Sequence, residues 1–337
     1  MPADPPLPDP DRALAPLAAH DALLLAVSGG PDSVALALLA ARWPLGSQKR
    51  IEIATVDHGL RADAAQEAAQ VGEWARAWGF PHHILRWEGE KPATRIQERA
   101  REARYRLLSA RAREIGATAI VTAHHSDDQA ETVLFRLTRG SGVAGLAAMA
   151  TQSRIDGLAL LRPLLGFRKA ELERVCAEAG HAYFRDPSNE NPAYARVRLR
   201  RLADTLAAEG LDAEALLRLS ARAARAEQAL AWSAEKIALE PPAERGEGRF
   251  RVEAEALRAL PREFLLRLLA AEIARIGGGE PRLERLERAS ERLADALATE
   301  TRFKTTLGGA TVTFEGDAVV ISPEPPRRRG GARDEGD

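Results

Sequence analysis

The chain has little sulfur chemistry to offer. Cys176 is its single cysteine, which excludes internal disulfides and any metal cluster built from cysteines. In a helical stretch such a residue reads as a small buried hydrophobe. No apolar run approaches the roughly 18 residues needed to span a bilayer. Residues 1–11, rich in proline and aspartate, have neither the basic start nor the apolar core of a secretory signal. No membrane association and a cytoplasmic setting are therefore expected. Neither sign of charge dominates: 48 Lys and Arg face 49 Asp and Glu, a formal net charge of −1. Any basic surface for nucleic acid has to be local. The GxxxxGK[ST] lysine of one nucleotide-binding loop is also absent, which excludes that class of site. There is no clean internal repeat.

What remains is a chain of 337 residues, 45% hydrophobic, enough for two or three domains with full cores. Short apolar runs at 23–27, 51–56, 83–87, 119–122 and 158–161 read as strands. Helical patterns at 34–41, 64–78, 95–115, 127–138 and 169–179 alternate with them. Alternation of this kind specifies an α/β fold, a doubly wound parallel sheet covered on both faces. From 194 the character changes to alanine- and arginine-rich helices at 194–208, 213–239, 253–276 and 282–297. A small hairpin closes the pattern, 301–307 and 310–314 about Gly308-Gly309, with 318–321 as a candidate third strand. The expected organisation is a flexible stretch over 1–20, an α/β domain over 21–210, a mainly helical domain over 211–323 ending in the hairpin, and a disordered tail over 324–337.

The first strand runs into Ser28-Gly29-Gly30-Pro31-Asp32-Ser33 and then a helix. Adjacent glycines let backbone N–H groups turn towards phosphate oxygens that a Cβ would obstruct. Ser28 and Ser33 offer hydroxyl donors, and Asp32 offers a carboxylate able to hold magnesium beside the phosphates. Pro31 costs little, because an early helical residue has no use for its N–H. Two glycines alone would be a plain strand-to-helix turn; two serines and an aspartate in the same six residues make a nucleotide loop the better reading. Two further loaded stretches also follow strands directly, Asp57-His58-Gly59-Leu60-Arg61 and 124–131. In wound sheets ligands sit beyond the carboxyl ends of the strands, so three such loops on one rim make a site.

His124-His125-Ser126-Asp127-Asp128-Gln129-Ala130-Glu131-Thr132 opens a helix. One carboxylate is explained by capping. Helical spacing lets Asp127, Asp128 and Glu131 share a face, where they can receive an ammonium group or help place magnesium. The spacing matches no standard zinc motif. Arg95, Arg99, Arg101, Arg104 and Arg106 line a basic helix; either they form a solvated face paired with Glu98 and Glu102, or Arg104 and its neighbours reach nucleotide phosphates. Arg136 and Arg139-Gly140-Ser141-Gly142 end the acidic helix, by a cap or by a close approach to a ligand. Arg196, Arg198, Arg200 and Arg201 lie in a stretch without acids, which favours contact with a phosphate backbone.

Together these residues resemble the tRNA(Ile)-lysidine synthetase family, of the ATP pyrophosphatase (PP-loop) superfamily. The motifs that carry the likeness are Ser28 to Ser33, Val56 to Arg61, Glu102-Ala103-Arg104-Tyr105, Ala123 to Thr132, Arg139 to Gly142, Arg162-Pro163-Leu164-Leu165 and Asp186-Pro187-Ser188-Asn189. They cover about 23–201, and the His-His-x-Asp-Asp-Gln-Ala-Glu-Thr run is the most specific. The resemblance implies ATP and Mg2+ as cofactors. It implies an isoleucine tRNA with a CAU anticodon and free L-lysine as partners. The oligomeric state stays open, a homodimer included. It implies that ATP adenylates C2 of the wobble cytidine and that lysine then displaces AMP to give lysidine. It places catalysis on Asp32, Asp127, Asp128, Glu131 and Arg104, and magnesium on Asp32. ATP is expected at Ser28, Gly29, Gly30, Pro31, Asp32, Ser33, Asp57, His58 and His124. The tRNA is expected at Arg139, Arg196, Arg198, Arg200 and Arg201. Two departures from the family stand out: valine at 197, where relatives often carry asparagine, and a chain that ends soon after the hairpin, where many relatives continue. A tRNA thiolase built on the same loop typically needs a cysteine pair or an iron–sulfur cluster, and Cys176 has no partner. An amidotransferase would need a nucleophile cysteine in an attached domain, and none is apparent. A non-catalytic nucleotide- or tRNA-binding protein has little use for three acids beside phosphates.

Overall fold

The computed structural model describes residues 7–89, 91, 94–185, 195–239, 243–279 and 281–325, with the backbone alone for 196 and 237–239. The motif Asp186 to Asn189, the Arg196 side chain and the expected tail from 326 on lie outside the described side chains. The chain divides into two compact units, Met1–Arg225 and Ala226–Asp337.

The first unit runs α1 (Pro10–Leu14), β1 (Ala22–Ala26), α2 (Pro31–Arg42), β2 (Arg50–Asp57), α3 (Ala64–Ala77), β3 (His82–Arg86) and α4 (Ile96–Glu114). It continues with β4 (Ala119–Val121), α5 (Ser126–Leu137), α6 (Val143–Leu146), β5 (Gln152–Ile155), β6 (Leu158–Leu161) and α7 (Lys169–Glu178). Then come α8 (Ala195–Arg201), α9 (Ala203–Ala208) and the start of α10 (Ala213–Leu239). The strand order is β3-β2-β1-β4-β6-β5, parallel except for the edge pair β5 and β6. The two faces of β1 feed separate cores, as its apolar run requires. Leu23, Leu25 and Val27 pack with α1, α2 and α7 residues such as Leu14, Leu36 and Val175. Leu24 and Ala26 pack with Tyr105 and Leu108 of α4. The order reverses between β1 and β4, so the loops after these two strands open on the same crevice. This is what brings Asp32 and the 124–131 stretch together.

Three expectations change. Residues 10–17, expected within a flexible stretch, are helical and packed: Asp9 accepts the Arg12 N–H at 3.0 Å as the cap of α1, and Leu14 and Leu17 are fully buried. The boundary expected at 210 falls at Arg225, because the first turns of α10 pack on α5, with Leu216 among Ala130, Val133 and Leu134. Strand β5 was missed because its polar edge residues show no apolar pattern; the turn signal was Asp156-Gly157, both at positive φ (48° and 83°).

The second unit is more than helices and a hairpin. It contains β7 (Ala243–Gly246), β8 (Arg249–Glu253), α11 (Ala254–Arg258), α12 (Arg262–Gly277), α13 (Leu283–Thr299), β9 (Phe303–Leu307), β10 (Ala310–Glu315) and β11 (Ala318–Pro323). The hairpin is part of a five-stranded antiparallel sheet, β7-β8-β11-β10-β9. Phe250, Val252, Phe314 and Ile321 of the sheet share a core with Leu265, Leu269 and Leu293 of the helices. The helix expected over 253–276 is two helices, separated at Pro261.

Glycine is required where α12 ends against the hairpin turn. A Cβ on Gly277 would lie 2.2 Å from the Gly308 carbonyl oxygen, and both partners are backbone. Gly277→Ala should cost about 3 kcal/mol of second-unit stability, read as lost amide protection over 250–321. Gly316→Ala, strained in φ but with open space around it, should cost about 1 kcal/mol. Equal costs would contradict the packing account.

A second stability prediction concerns acid. Thr55 Oγ1 donates to the Val27 carbonyl at 2.7 Å and therefore accepts from His82 Nε2 at 2.9 Å. The other ring nitrogen abuts Gly72. Burial, with His83 and Arg76 nearby, lowers the His82 pKa to about 4. The neutral ring thus stabilises the fold fully above the unfolded value of 6.5, and this contribution is lost as pH falls towards 4. Allowing for partial exposure, the loss is about 1–2 kcal/mol. His82→Gln should flatten the denaturation free energy between pH 6.5 and 4 by that amount; an unchanged slope would contradict it.

Candidate active site

Beyond β1, the Ser28 N–H donates to Ser33 Oγ at 3.1 Å, and Ser33 Oγ donates to the Gly30 carbonyl at 3.0 Å. The Ser33 hydroxyl, expected to face a phosphate, is therefore spent on closing the loop; Ser28 Oγ sits 3.2 Å from it. Gly29 has φ of 85°, and its carbonyl accepts the Phe184 N–H at 2.8 Å. A Cβ there would lie 2.6 Å from the Phe184 ring, so the loop admits no side chain at 29. Gly30 caps α2 without a side chain, and Pro31 is the first helical residue. The first-turn N–H groups and the positive end of the helix are left for an anion.

The loop forms one wall of a cleft of about 1110 Å³, together with His58, Arg61, Arg104, Lys169, Arg200 and Arg201 among others. Arg104 makes no hydrogen bond or ion pair among the described residues; its guanidinium carbon lies 5.9 Å from the Tyr105 ring centroid. Burial lowers its pKa, with Arg101 adding repulsion, which leaves a cation in need of an anion. Burial and then Arg104 lower the His58 pKa, so that ring enters the cleft neutral. Asp57 is used differently: its Oδ1 accepts the Gly59 N–H at 2.9 Å and shapes the turn. Val197 is buried and joins the cleft wall, a packing role that asparagine would not fill.

A second cavity of about 510 Å³ adjoins the first and shares Asp32, Lys169 and Arg200 with it. Its charged wall includes Asp32, His125, Asp127, Asp128 and Glu131; its apolar wall includes Leu134, Leu199 and Leu216. His125 is the hub. Its Nε2 lies 3.6 Å from Asp32 Oδ1 and 3.5 Å from Asp128 Oδ2, and its Nδ1 lies 3.5 Å from Asp127 Oδ2. Burial alone would lower its pKa, but Asp127, Asp32 and Asp128 raise it to about 10. A doubly protonated ring cannot accept the Asp128 N–H. At neutral pH the cap of α5 therefore rests on the His125 N–H donating to Asp128 Oδ2 at 3.1 Å.

The three acids have separate environments. Asp127 accepts the Lys169 N–H at 2.8 Å, which ties α7 to α5. Its bond with His125, against burial, holds its pKa down to about 2. Asp128 goes the other way: burial raises its pKa despite His125, and Glu131 and Asp32 add to the rise. Glu131 accepts two bonds from Arg200, Nε to Oε1 at 2.7 Å and Nη2 to Oε2 at 2.9 Å. Arg200, expected on RNA, is thus paired with Glu131 at the cavity wall, with half of its side chain still exposed.

His124 is bonded to Thr122 Oγ1 at 2.9 Å. Burial and then Arg104 and Arg162 lower its pKa to about 3, so it is a neutral neighbour of the arginine wall. Arg139 stacks over Phe135 at 4.3 Å and is exposed, as is Arg198; Arg201 lines the cleft. His125 and Lys169 were missed as site residues. The first carried a signal in its place two residues before the Asp127-Asp128 pair, and the second carried none.

A family model described as a PP-loop domain matches residues 10–206. A tRNA(Ile)-lysidine synthase of Methylobacterium sp. (strain 4-46) is 50% identical over 315 residues, covering 91% of this chain and 90% of that protein. Another, of Bradyrhizobium sp. (strain BTAi1), is 49% identical over 340 residues and covers 95% of each. Among solved structures, the U34-tRNA thiolase NcsA from Methanococcus maripaludis with its 4Fe-4S cluster aligns with a TM-score of 0.50. It is 16% identical and covers 60% of this chain and 70% of that one. That likeness is one of fold: the lone Cys176 here is buried and points its thiol at the Pro31 carbonyl, 3.4 Å away. The chain belongs to the tRNA(Ile)-lysidine synthase family.

Proposed function

We propose that the two adjoining cavities carry the two halves of one reaction. ATP adenylates the C2 oxygen of the wobble cytidine of the CAU-anticodon isoleucine tRNA and releases pyrophosphate. Free lysine then displaces AMP at C2 to give lysidine. The observation that carries this reading is the meeting of Asp32, which lines both cavities, with Asp128 of the smaller one on a single histidine, His125.

In the first half, the Ser28 to Ser33 loop and the α2 N-terminus bind the phosphates, and Arg104 offers them its unpaired guanidinium. Asp32 suits a magnesium ion: its Oδ1 is buried and has no hydrogen-bond partner among the described residues. A cation held there by this one carboxylate would complete its coordination with waters and phosphate oxygens. Such an ion would neutralise charge on the departing pyrophosphate.

In the second half, lysine arrives as an ammonium of pKa about 10.4 and must lose a proton before it attacks. Asp128 and Glu131 receive the ammonium, and the leucines flank its stem. Arg200, fixed by Glu131, is suited to the amino acid's carboxylate. Asp128 is the base, since its raised pKa lets it take the proton. Asp127 positions α5 and α7. Arg139, Arg198 and Arg201, which are exposed, are offered to the tRNA backbone, and the enzyme works in the cytoplasm.

The test is ATP-dependent incorporation of radiolabelled lysine into an unmodified isoleucine tRNA transcript. Pyrophosphate release without incorporation would mean a different acceptor, and no ATP turnover would mean a binding protein.

A further inference from the structure

The residues shared by the two cavities mark where the reacting bonds must be. The C2–O–P linkage forms from ATP in the larger cavity and is broken by an amine arriving from the smaller one, so it has to lie at the common wall. Among the described residues, three line both cavities: Asp32, Lys169 and Arg200. Asp32 is assigned to the metal and Arg200 is engaged by Glu131. The side chain of Lys169 makes no hydrogen bond or ion pair among the described residues; the bond to Asp127 comes from its backbone N–H.

Lys169 is also badly placed for stability. It is the first residue of α7, where a cation opposes the positive end of the helix dipole, a cost of about 0.3–1 kcal/mol. The chain uses arginine for nearly all its other cations, so a compact ammonium here is a departure from its own habit. A residue that breaks a local rule beside a reaction centre points to function.

We propose that Lys169 is a catalytic residue that binds the α-phosphate of ATP at the shared wall. The cytidine C2 oxygen attacks the α-phosphorus with its lone pair. The O–P bond forms as the bond to the bridging oxygen breaks, and that electron pair leaves on pyrophosphate. Charge grows on the non-bridging oxygens of the α-phosphate, where an ammonium held at the shared wall stabilises it. When lysine attacks C2, the C2–O bond breaks and the same ammonium neutralises the departing AMP. The proposal rests on the ligase reading above.

The test compares wild type, Lys169→Ala and Lys169→Arg. Pyrophosphate release is measured on the tRNA transcript without lysine, and the ATP dissociation constant is measured separately by equilibrium dialysis. Alanine keeps the backbone N–H to Asp127, so the thermal midpoint should hold or rise. Lys169→Ala should release pyrophosphate about 100-fold more slowly with ATP affinity within about threefold, and Lys169→Arg should recover most of the rate. A rate within threefold of wild type overturns the proposal. So does a loss matched by an equal loss of ATP affinity, which would put the lysine on the β- or γ-phosphate. A wild-type enzyme that releases no pyrophosphate overturns the ligase reading and the proposal with it; an active wild type beside an unimpaired Lys169→Ala overturns the proposal alone.

Discussion

Asp32→Ala should slow pyrophosphate release about 1000-fold while leaving the thermal midpoint nearly unchanged. The expectation follows from how little Asp32 does for the fold. Among the described residues its Oδ1 is buried without a hydrogen bond, and its ion pair, to His125 at 3.6 Å, is long. The loop is held by Ser33, Gly30 and Phe184 instead. A buried carboxylate oxygen left unsatisfied in the protein itself costs stability unless a ligand claims it. Removing it should therefore be neutral for folding and ruinous for adenylation. Wild-type turnover in Asp32→Ala would take the metal away from this residue.

Asp128→Asn should have the opposite signature. Pyrophosphate release should stay within a fewfold of wild type, while lysine incorporation falls about 100- to 1000-fold and adenylated RNA accumulates. The amide keeps an oxygen for the His125 N–H but can neither hold an ammonium nor take its proton. Asp127→Asn should not copy this effect, because the Asp127 carboxylate is engaged by Lys169 N–H and His125. If Asp128→Asn stopped pyrophosphate release as well, the division of labour between the cavities would be wrong.

The legible parts of the fold were those whose signal is local. Leu23 to Val27 is buried on both faces of a central strand, so five apolar residues before two glycines could be read directly. Strand β8 was missed although Phe250 and Val252 alternate with Arg249, Arg251 and Glu253; the helix-forming residues that follow masked a period of two. The three rim loops were legible because each follows a strand. What joins them was not. The Arg200–Glu131 pair links positions 69 residues apart, and the inward hydroxyl of Ser33 depends on the Gly30 carbonyl. Likewise His125 becomes a hub only when the β1–β4 reversal sets Asp32 beside it.

The most direct measurement is a chase on the intact enzyme. The tRNA transcript is incubated with ATP labelled at the α-phosphate and no lysine, and unlabelled ATP and lysine are then added together. Two half-reactions meeting at one wall predict that label first joins the RNA and then leaves as AMP, one lysine entering for each AMP lost. Lysine entering without any prior labelled RNA, or label that lysine does not displace, would contradict it.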